Sequence, residues 1–423
     1  MNKKTEYAIG FGLLVLVLIL GSTLLATPLH FARLLIGLGI GYLLARAAFG
    51  FAGTINRAFN TGSTKLMRAF MMLIILASFV TLIFAAIPAS DVNPEFFVKY
   101  GHFIHPITLG TVIGSFMFGI GMSFAGGCAS GVLTDLSVAF PKALLALIFF
   151  GMGFVISIPF GSKLPGYFVN ESLIKSSPEV NGVFFPDLFK FDGFNGFLGA
   201  FILTIILAAI VIKLSFAYEA KRKREGTYEV VESELEGEKS LVHFVEQDKL
   251  TFYEKWFARP WSLWEGAIAM TLMYAALMGL TKSAWGVSGA FGFWFAKLAT
   301  TLGLSKDALL NYVGNPEYLN PTIFTHQQSV QDMGIILGAF IALLTMGRLF
   351  KSFKQGLKIS GKDAVLAIIG GLLMGLSIGL SKGCNAGGLF SPIVSFSLSG
   401  WIFLIFMGAG AVVGGKIKKS IIK

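Results

Sequence analysis

Apolar runs of about 20 residues, long enough to cross a bilayer as a helix, recur along this chain, and short charged loops separate them. Ten are predicted as spans: Tyr7–Ala26, Leu34–Phe51, Leu66–Ile87, Ile107–Ala125, Ala143–Phe160, Gly196–Phe216, Leu263–Leu280, Met333–Phe350, Ala364–Leu380 and Gly400–Gly415. Four apolar stretches, Ala52–Asn60, Ala129–Phe140, Phe291–Leu302 and Asn385–Ser397, are too short to cross. Each follows a Gly-rich motif and is expected as a half-helix or re-entrant turn, tolerable at membrane depth only when buried in protein or lining a cavity. The expected fold is therefore an all-α membrane protein with about ten transmembrane helices and four short re-entrant half-helices.

The motifs come in two sets. Arg46-Ala47-Ala48-Phe49-Gly50-Phe51-Ala52-Gly53 is echoed by Lys282-Ser283-Ala284-Trp285-Gly286-Val287-Ser288-Gly289. Ala125-Gly126-Gly127-Cys128-Ala129-Ser130-Gly131 is echoed, in the same order, by Ser381-Lys382-Gly383-Cys384-Asn385-Ala386-Gly387. Each set reads span, half-helix, span, span, half-helix, span. An even number of spans per set, with Gly196–Phe216 between the sets, makes the second enter from the opposite side, as inverted-topology repeats do. The expected division is 1–30, an extra N-terminal transmembrane helix; 31–161, repeat 1; 162–217, an external loop and connecting helix; 218–258, a polar cytoplasmic linker; 259–417, repeat 2; and 418–423, a basic cytoplasmic tail. The first apolar run follows Asn2-Lys3-Lys4 in the manner of a signal peptide, but without a convincing small-residue cleavage site it is expected as a retained helix.

Charge agrees with this count. Arg57, Lys65 and Arg68, the run Lys221–Arg224, the cluster Arg348 to Lys362, and the tail Lys416 to Lys423 all fall on one face when the ten spans alternate. Both termini and the linker are thus expected in the cytoplasm. The net charge of +11 then reflects topology, and no nucleic acid is expected as a partner. With 55% hydrophobic and 13% charged residues the chain is no soluble globular domain, and a lipid bilayer is its expected surrounding. The linker Tyr218–Arg259 opens basic and turns acidic through Glu229, Glu232, Glu234, Glu236 and Glu238, the pattern of a solvated connector or a partner-docking arm.

The candidate chemistry centres on the chain's two cysteines. Gly127 and Gly131 bracket Cys128, and Gly383 and Gly387 bracket Cys384. A Gly-rich turn before a half-helix lets backbone N–H groups converge and adds positive dipole character, which favours anions. A polarisable thiol there suits an anion carrying sulfur or selenium. Simple packing is the plain alternative, and thiol redox exchange, which needs Cα atoms within about 7 Å, is another. Gly50 and Gly286 hold matched places in the first motif. Arg46 and Lys282 end matched spans, where they either attract an anion or snorkel to headgroups; Lys382, beside Cys384, faces the same choice. Asn385 is expected to cap its half-helix more than to contact a ligand. His102 and His105 are expected as inert loop residues, and Gly371, Gly375, Gly379 and Gly383 as a helix-packing seam. Gly410–Lys416 spells G-x-x-x-x-G-K, but Ile417 replaces Ser/Thr and the run ends an apolar helix. No nucleotide, zinc or catalytic-triad pattern appears, so no cofactor, metal or enzymatic activity is expected.

In its paired Gly-Cys turns, its Arg46-x-x-Phe49-Gly50-Phe51 element and its Ser283-Ala284-Trp285-Gly286-Val287-Ser288-Gly289-Ala290-Phe291 stretch, the chain resembles the YeeE/YedE sulfur-transport family. The likeness covers roughly Phe31–Gly161 and Tyr253–Gly415. It implies an inner-membrane protein shaped as two inverted halves, importing thiosulfate or a related ion that passes between cysteines by S–H contacts. Some members are assigned to selenium metabolism, so uptake of a selenium compound is the alternative. A cytoplasmic sulfur-carrier protein is the implied partner, which leaves a docking scaffold as a reading from another class. Cys128 and Cys384 match two family cysteines. The third stands where this chain has Gly50, so the expected path has two thiols.

Overall fold

The computed structural model describes residues 3–86, 103–246 and 251–422. His102 and the loop Asp91–Lys99 lie outside the described residues.

The described chain is helical, with ten segments long and apolar enough to cross a membrane. A first helix, α1 (Lys3–Leu24), precedes a set formed by α2 (Pro28–Arg46), α3 (Gly53–Thr61), α4 (Lys65–Ala86), α5 (Leu109–Ala125), α6 (Ala129–Asp135) and α7 (Phe140–Ser157). Two helices follow, α8 (Phe197–Arg224) and α9 (Glu232–Glu246). The second set is α10 (Leu263–Thr281), α11 (Ser288–Thr301), α12 (Gln327–Thr345), α13 (Gly361–Ser381), α14 (the π-helical turn Asn385–Phe390 continuing into Ser391–Val394) and α15 (Leu398–Ile422). Long and short helices alternate in the same order in both sets.

The packed pairs share this symmetry. Helix α2 packs on α12 and α10 on α4; α5 on α15 and α13 on α7; α3 on α15 and α11 on α7; α6 on α12 and α14 on α4. Exchanging one set for the other leaves these pairings unchanged. The contacts α2 with α10, α5 with α13 and α6 with α14 map onto themselves. Small residues permit the closest approaches. Gly121 of α5 and Gly370 of α13 each face the other's backbone carbonyl, with no room for a Cβ. Gly371, Gly375 and Gly379 lie against Ala146, Phe150 and Ser157 of α7. Between helices that share one apolar solvent, such close contact supplies the dispersion and Cα–H contacts that hydrophobic exclusion cannot. Gly383, expected in the same seam, instead lies past the helix end in the turn.

Helix ends depart from the apolar runs where polar residues find partners. Helix α12 begins at Gln327, ahead of the expected Met333. Its polar first turns are buried because Gln331 accepts a hydrogen bond from Arg33 of α2 (3.1 Å) and His326 caps the helix. Helix α2 stops at Arg46, short of the expected Phe51, because Ala48 adopts a left-handed conformation (φ 49°). The acidic linker, read from sequence as a solvated connector or a partner-docking arm, contains α9, which docks on the bundle. Lys65 Nζ donates to both Glu238 oxygens (2.7 Å each), and Arg348 pairs with Glu236 (2.9 Å). Gly237 lets the helix approach the Trp261 carbonyl. These contacts gather Arg57, Lys65 and Arg348 at one end of the bundle.

Candidate functional site

The two cysteines sit on matched backbone turns. Helix α5 ends as Gly126 turns left-handed (φ 86°), and Cys128 follows in extended geometry (φ −88°, ψ −173°) as the residue before α6. Helix α13 ends as Lys382 turns left-handed (φ 63°), and Cys384 follows with φ −94°, ψ −168°. Both thiols are buried and free. Cys128 Sγ lies 3.4 Å from Ser130 Oγ, and the backbone N–H groups of Gly131 and Ala52 approach the sulfur. The first motif, through Ala52, therefore meets the second at Cys128.

Cys128 lines a cavity of about 450 Å³ with Gly50, Asn56, Arg57, Thr134 and Asp135. Asn56, Arg57 and Asn60 project from successive turns of α3, the i, i+1, i+4 spacing of one helix face. A neighbouring cavity of about 620 Å³ shares Asn56, Asn60 and Gly126 and adds Lys418 and Lys419. Lys418 Nζ is held by the Ser123 carbonyl at 3.0 Å, so the positive end of this region is fixed by backbone at the close of α5. Together the two cavities bring amides, a guanidinium, two ammonium groups and a thiol beside one carboxylate, Asp135, a mostly electropositive lining that suits a small, soft anion.

The matched first motif of the second set is packed differently. In the first, a Cβ on Gly50 meets no atom within 4 Å. In the second, Gln328 of α12 packs its side-chain amide against Gly286 and Gly289. Between the sets, Phe51 meets Phe70, Trp285 and Phe390 edge-on, with ring centroids 5.1, 5.3 and 6.1 Å apart, and Phe390 meets Tyr274 at 5.4 Å. This aromatic cluster ties the Phe49–Gly53 turn to α14.

The residues singled out from sequence fall in different places. Gly50, Gly127, Gly131 and Cys128 line the cavity together. Cys384, Gly383 and Gly387 gather at the second turn, where His105 Nε2 is 2.9 Å from the Gly387 carbonyl. Asn385 does not cap its helix, because Cys384 occupies that position. Its amide is buried and reaches the Met122 sulfur of α5 (4.0 Å), and its Oδ1 has no partner among the described residues. Arg46 is buried away from the cavity. It donates to the Arg259 carbonyl (2.9 Å) and to Tyr42, and it stacks on Trp261. Lys282 is exposed at the end of α10 in a left-handed conformation (φ 50°). Lys382 Nζ bonds Asn170 Oδ1 at 2.9 Å.

Sequence reasoning missed Arg57 as a site residue, taking it as a mark of topology. Its spacing with Gly53, Asn56 and Asn60 on one short helix carried the signal. It also missed Gln328 and Asp332, which stand one turn apart on α12. Neither carboxylate oxygen of the buried Asp332 has a hydrogen-bond partner among the described residues.

Ten apolar spans around a thiol-lined cavity define a multi-pass membrane transporter. The chain belongs to the sulphur transport family, whose model matches residues 46–413. It is 24% identical over 383 residues to the thiosulfate transporter TsuA of Spirochaeta thermophila, covering 89% of this chain and 95% of that one. It is 26% identical over 381 residues to TsuA of Escherichia coli, covering 89% and 91%. The probable transporter YedE of Escherichia coli matches at 26% over 170 residues, covering 39% of this chain and 40% of that one. As a member of this family the chain is a transporter and not an enzyme.

Proposed function

We propose that the protein imports a small sulfur-containing oxyanion, thiosulfate first among them, across the bacterial inner membrane, with Cys384 and Cys128 as successive soft contacts. The observation that carries this reading is Cys128 in a cavity lined by Arg57, beside a second cavity that shares Asn56, Asn60 and Gly126 with it and holds Lys418 and Lys419. The thiosulfate transporters that resemble the chain along most of its length support the substrate. The exchange symmetry of the helix pairs supports two inverted repeats, and the basic end gathered under α9 supports a cytoplasmic location for that end and both termini. Helix α6 has seven residues, so its dipole is short, and stabilisation of negative charge falls mainly to side-chain cations and amides.

Radiolabelled thiosulfate uptake into proteoliposomes, with selenite and sulfate as competitors, tests the reading. Cys128→Ala and Cys384→Ala are each expected to lower uptake at least tenfold while leaving thermal stability nearly unchanged, because Ala keeps most of the packing of a small buried thiol and loses its polarisable contact. Uptake at the wild-type rate in both variants would remove the thiols from the path.

A further inference from the structure

Among the described residues lining the cavity, Arg57 is the one basic side chain and Asp135 the one acidic side chain. Arg57 is already engaged. Its Nη2 donates to the Ala48 carbonyl (2.6 Å) and its Nη1 to Glu234 Oε1 (3.2 Å). Glu234 belongs to α9, outside both helix sets. Its side chain is 3% exposed, against 21% for Arg57. A carboxylate buried that far needs partners to offset lost hydration. It has two, because Ser63 Oγ also donates to its Oε2 at 2.6 Å.

This arrangement puts a carboxylate of the protein on the guanidinium that faces the cavity. An entering anion competes with that carboxylate for the guanidinium charge, because Glu234 already holds one Nη1 N–H and a second anion on the same cation is held less tightly. Glu234 withstands the exchange for two reasons. Ser63 still holds its second oxygen, and α9 is pinned independently by Lys65–Glu238 and Arg348–Glu236. Glu234 therefore stays in place to reclaim Arg57 when the anion leaves. A transport path needs sites favourable enough to enter and weak enough to leave, and a tethered competitor meets both demands.

We propose that Arg57 is the anion contact on the basic side of Cys128, and that Glu234 on the linker helix is its internal competitor, setting how tightly the cavity holds the transported anion. This rests on the anion-transport reading above and adds a residue pair to it. It also gives the linker's acidic run a use, as two anchors and one competitor.

The test compares the full-length wild type with Glu234→Gln, Glu234→Asp, Arg57→Gln and the double swap Arg57→Glu/Glu234→Arg. Thiosulfate binding to purified protein, proteoliposome uptake and thermal stability are measured for each. Glu234→Gln keeps the Ser63 contact and removes the competing charge, so thiosulfate Kd should fall about tenfold while turnover slows. Glu234→Asp withdraws the carboxylate by one methylene and should move Kd the same way by a smaller factor, which covers the case in which Gln does not fold. Arg57→Gln should weaken binding about tenfold or more. The swap rebuilds the ion pair with its sign reversed at the cavity, so it should keep wild-type thermal stability and lose thiosulfate binding. A swap that binds and transports like wild type would show the pair to be only a brace for α9, as would unchanged or weaker binding in both Glu234 variants. Absence of thiosulfate uptake by the wild type would overturn the transport reading, and this inference with it.

Discussion

The two Gly-Cys turns share their backbone angles and differ in what surrounds them. Around Cys128, the turn faces a cavity. A Cβ on Gly127 comes no nearer than 3.2 Å to Asp135 Oδ2, and one on Gly131 meets only the Cys128 sulfur at 3.8 Å. Around Cys384, the chain winds into a π-helical turn that brings Gly383 against the backbone of Gly387 and Gly388. A segment from the long loop after α7 clamps the end of α14, with Phe185 N–H bonding the Phe396 carbonyl (2.8 Å) and Leu398 N–H the Val183 carbonyl (3.1 Å). Phe396 adopts a left-handed conformation (φ 59°) to make this join. Matched motifs thus form the same turn twice, and different neighbours pack Gly383 tightly while leaving room at Gly127 and Gly131, as at Gly387.

The largest predicted effect tests that contrast directly. Gly383→Ala drives a Cβ into the backbone nitrogen of Gly388, which cannot rotate away, whereas Gly127→Ala meets one carboxylate oxygen at a tight but tolerable distance. Overpacking against backbone costs about 1–3 kcal/mol or more. Gly383→Ala should therefore lower thermal stability sharply and reduce the yield of folded protein, and Gly127→Ala should change both little. Equal losses in the two variants would mean that the second turn is no tighter than the first.

A smaller effect is expected at Gly50, where the family resemblance implies a third cysteine. The Gly50 Cβ position is empty and its φ is not left-handed, so a side chain adds neither clash nor backbone strain. Gly50→Cys should leave thermal stability within a degree or two of wild type and keep or raise thiosulfate uptake by placing a third thiol on the cavity wall. Gly286→Cys, at the matched position, must displace the Gln328 amide, which its Cβ would approach to 2.8 Å. Displacing the far end of one flexible side chain costs little stability, so its effect should appear in transport. If Gln328 closes the second half, Gly286→Cys and Gln328→Ala should change uptake in the same direction. Opposite changes would separate the thiol from the opening.

The legible and illegible parts of this molecule divide by the range of the forces involved. Spans were legible because each is a continuous apolar run. The cysteine turns were legible from the glycines that crowd them; glycine suits the left-handed reversal at Gly126, although Lys382 makes the same reversal in the second turn. Helix α9 was not, because its apolar residues are few and some, such as Leu235 and Val242, stay exposed. What docks it are ion pairs to Lys65 and Arg348, far away in sequence on either side. The start of α12 was missed for the same reason, since its polar residues are buried only because Arg33 and Phe293 come from other helices to meet them. Arg57 was visible as a charge, but its engagement with Glu234 depends on the placement of α9. The role of Arg46 followed the same logic: a basic residue at a span end became a clamp once Trp261 and the Arg259 carbonyl were folded against it.

The smallest expected effect concerns the cap of α12, the helix that carries Gln328. His326 caps α12 two residues ahead of Gln328, accepting the Ser329 N–H on Nδ1 (3.2 Å), with its ring stacked on Phe293 of α11 at 4.4 Å. An accepting Nδ1 must be unprotonated. Burial, and then the charge of Arg33, hold the His326 pKa below its ordinary value. The neutral ring's contribution to stability is thus complete above the ordinary histidine pKa of about 6.5. It is lost as pH falls from there through the lower folded-state value. Other carboxylates and histidines titrate as well, so the informative quantity is the difference between wild type and His326→Asn, which keeps a capping acceptor without the titration. Acidification from pH 7.5 to 5.5 should lower the thermal midpoint of wild type more than that of His326→Asn, by about 1–3 °C. Identical shifts would show that the ring is solvated and that the cap is not under pH control. A larger shift accompanied by faster uptake in wild type alone would mean that protonating this cap frees Gln328, making the half that carries it the one that responds to pH.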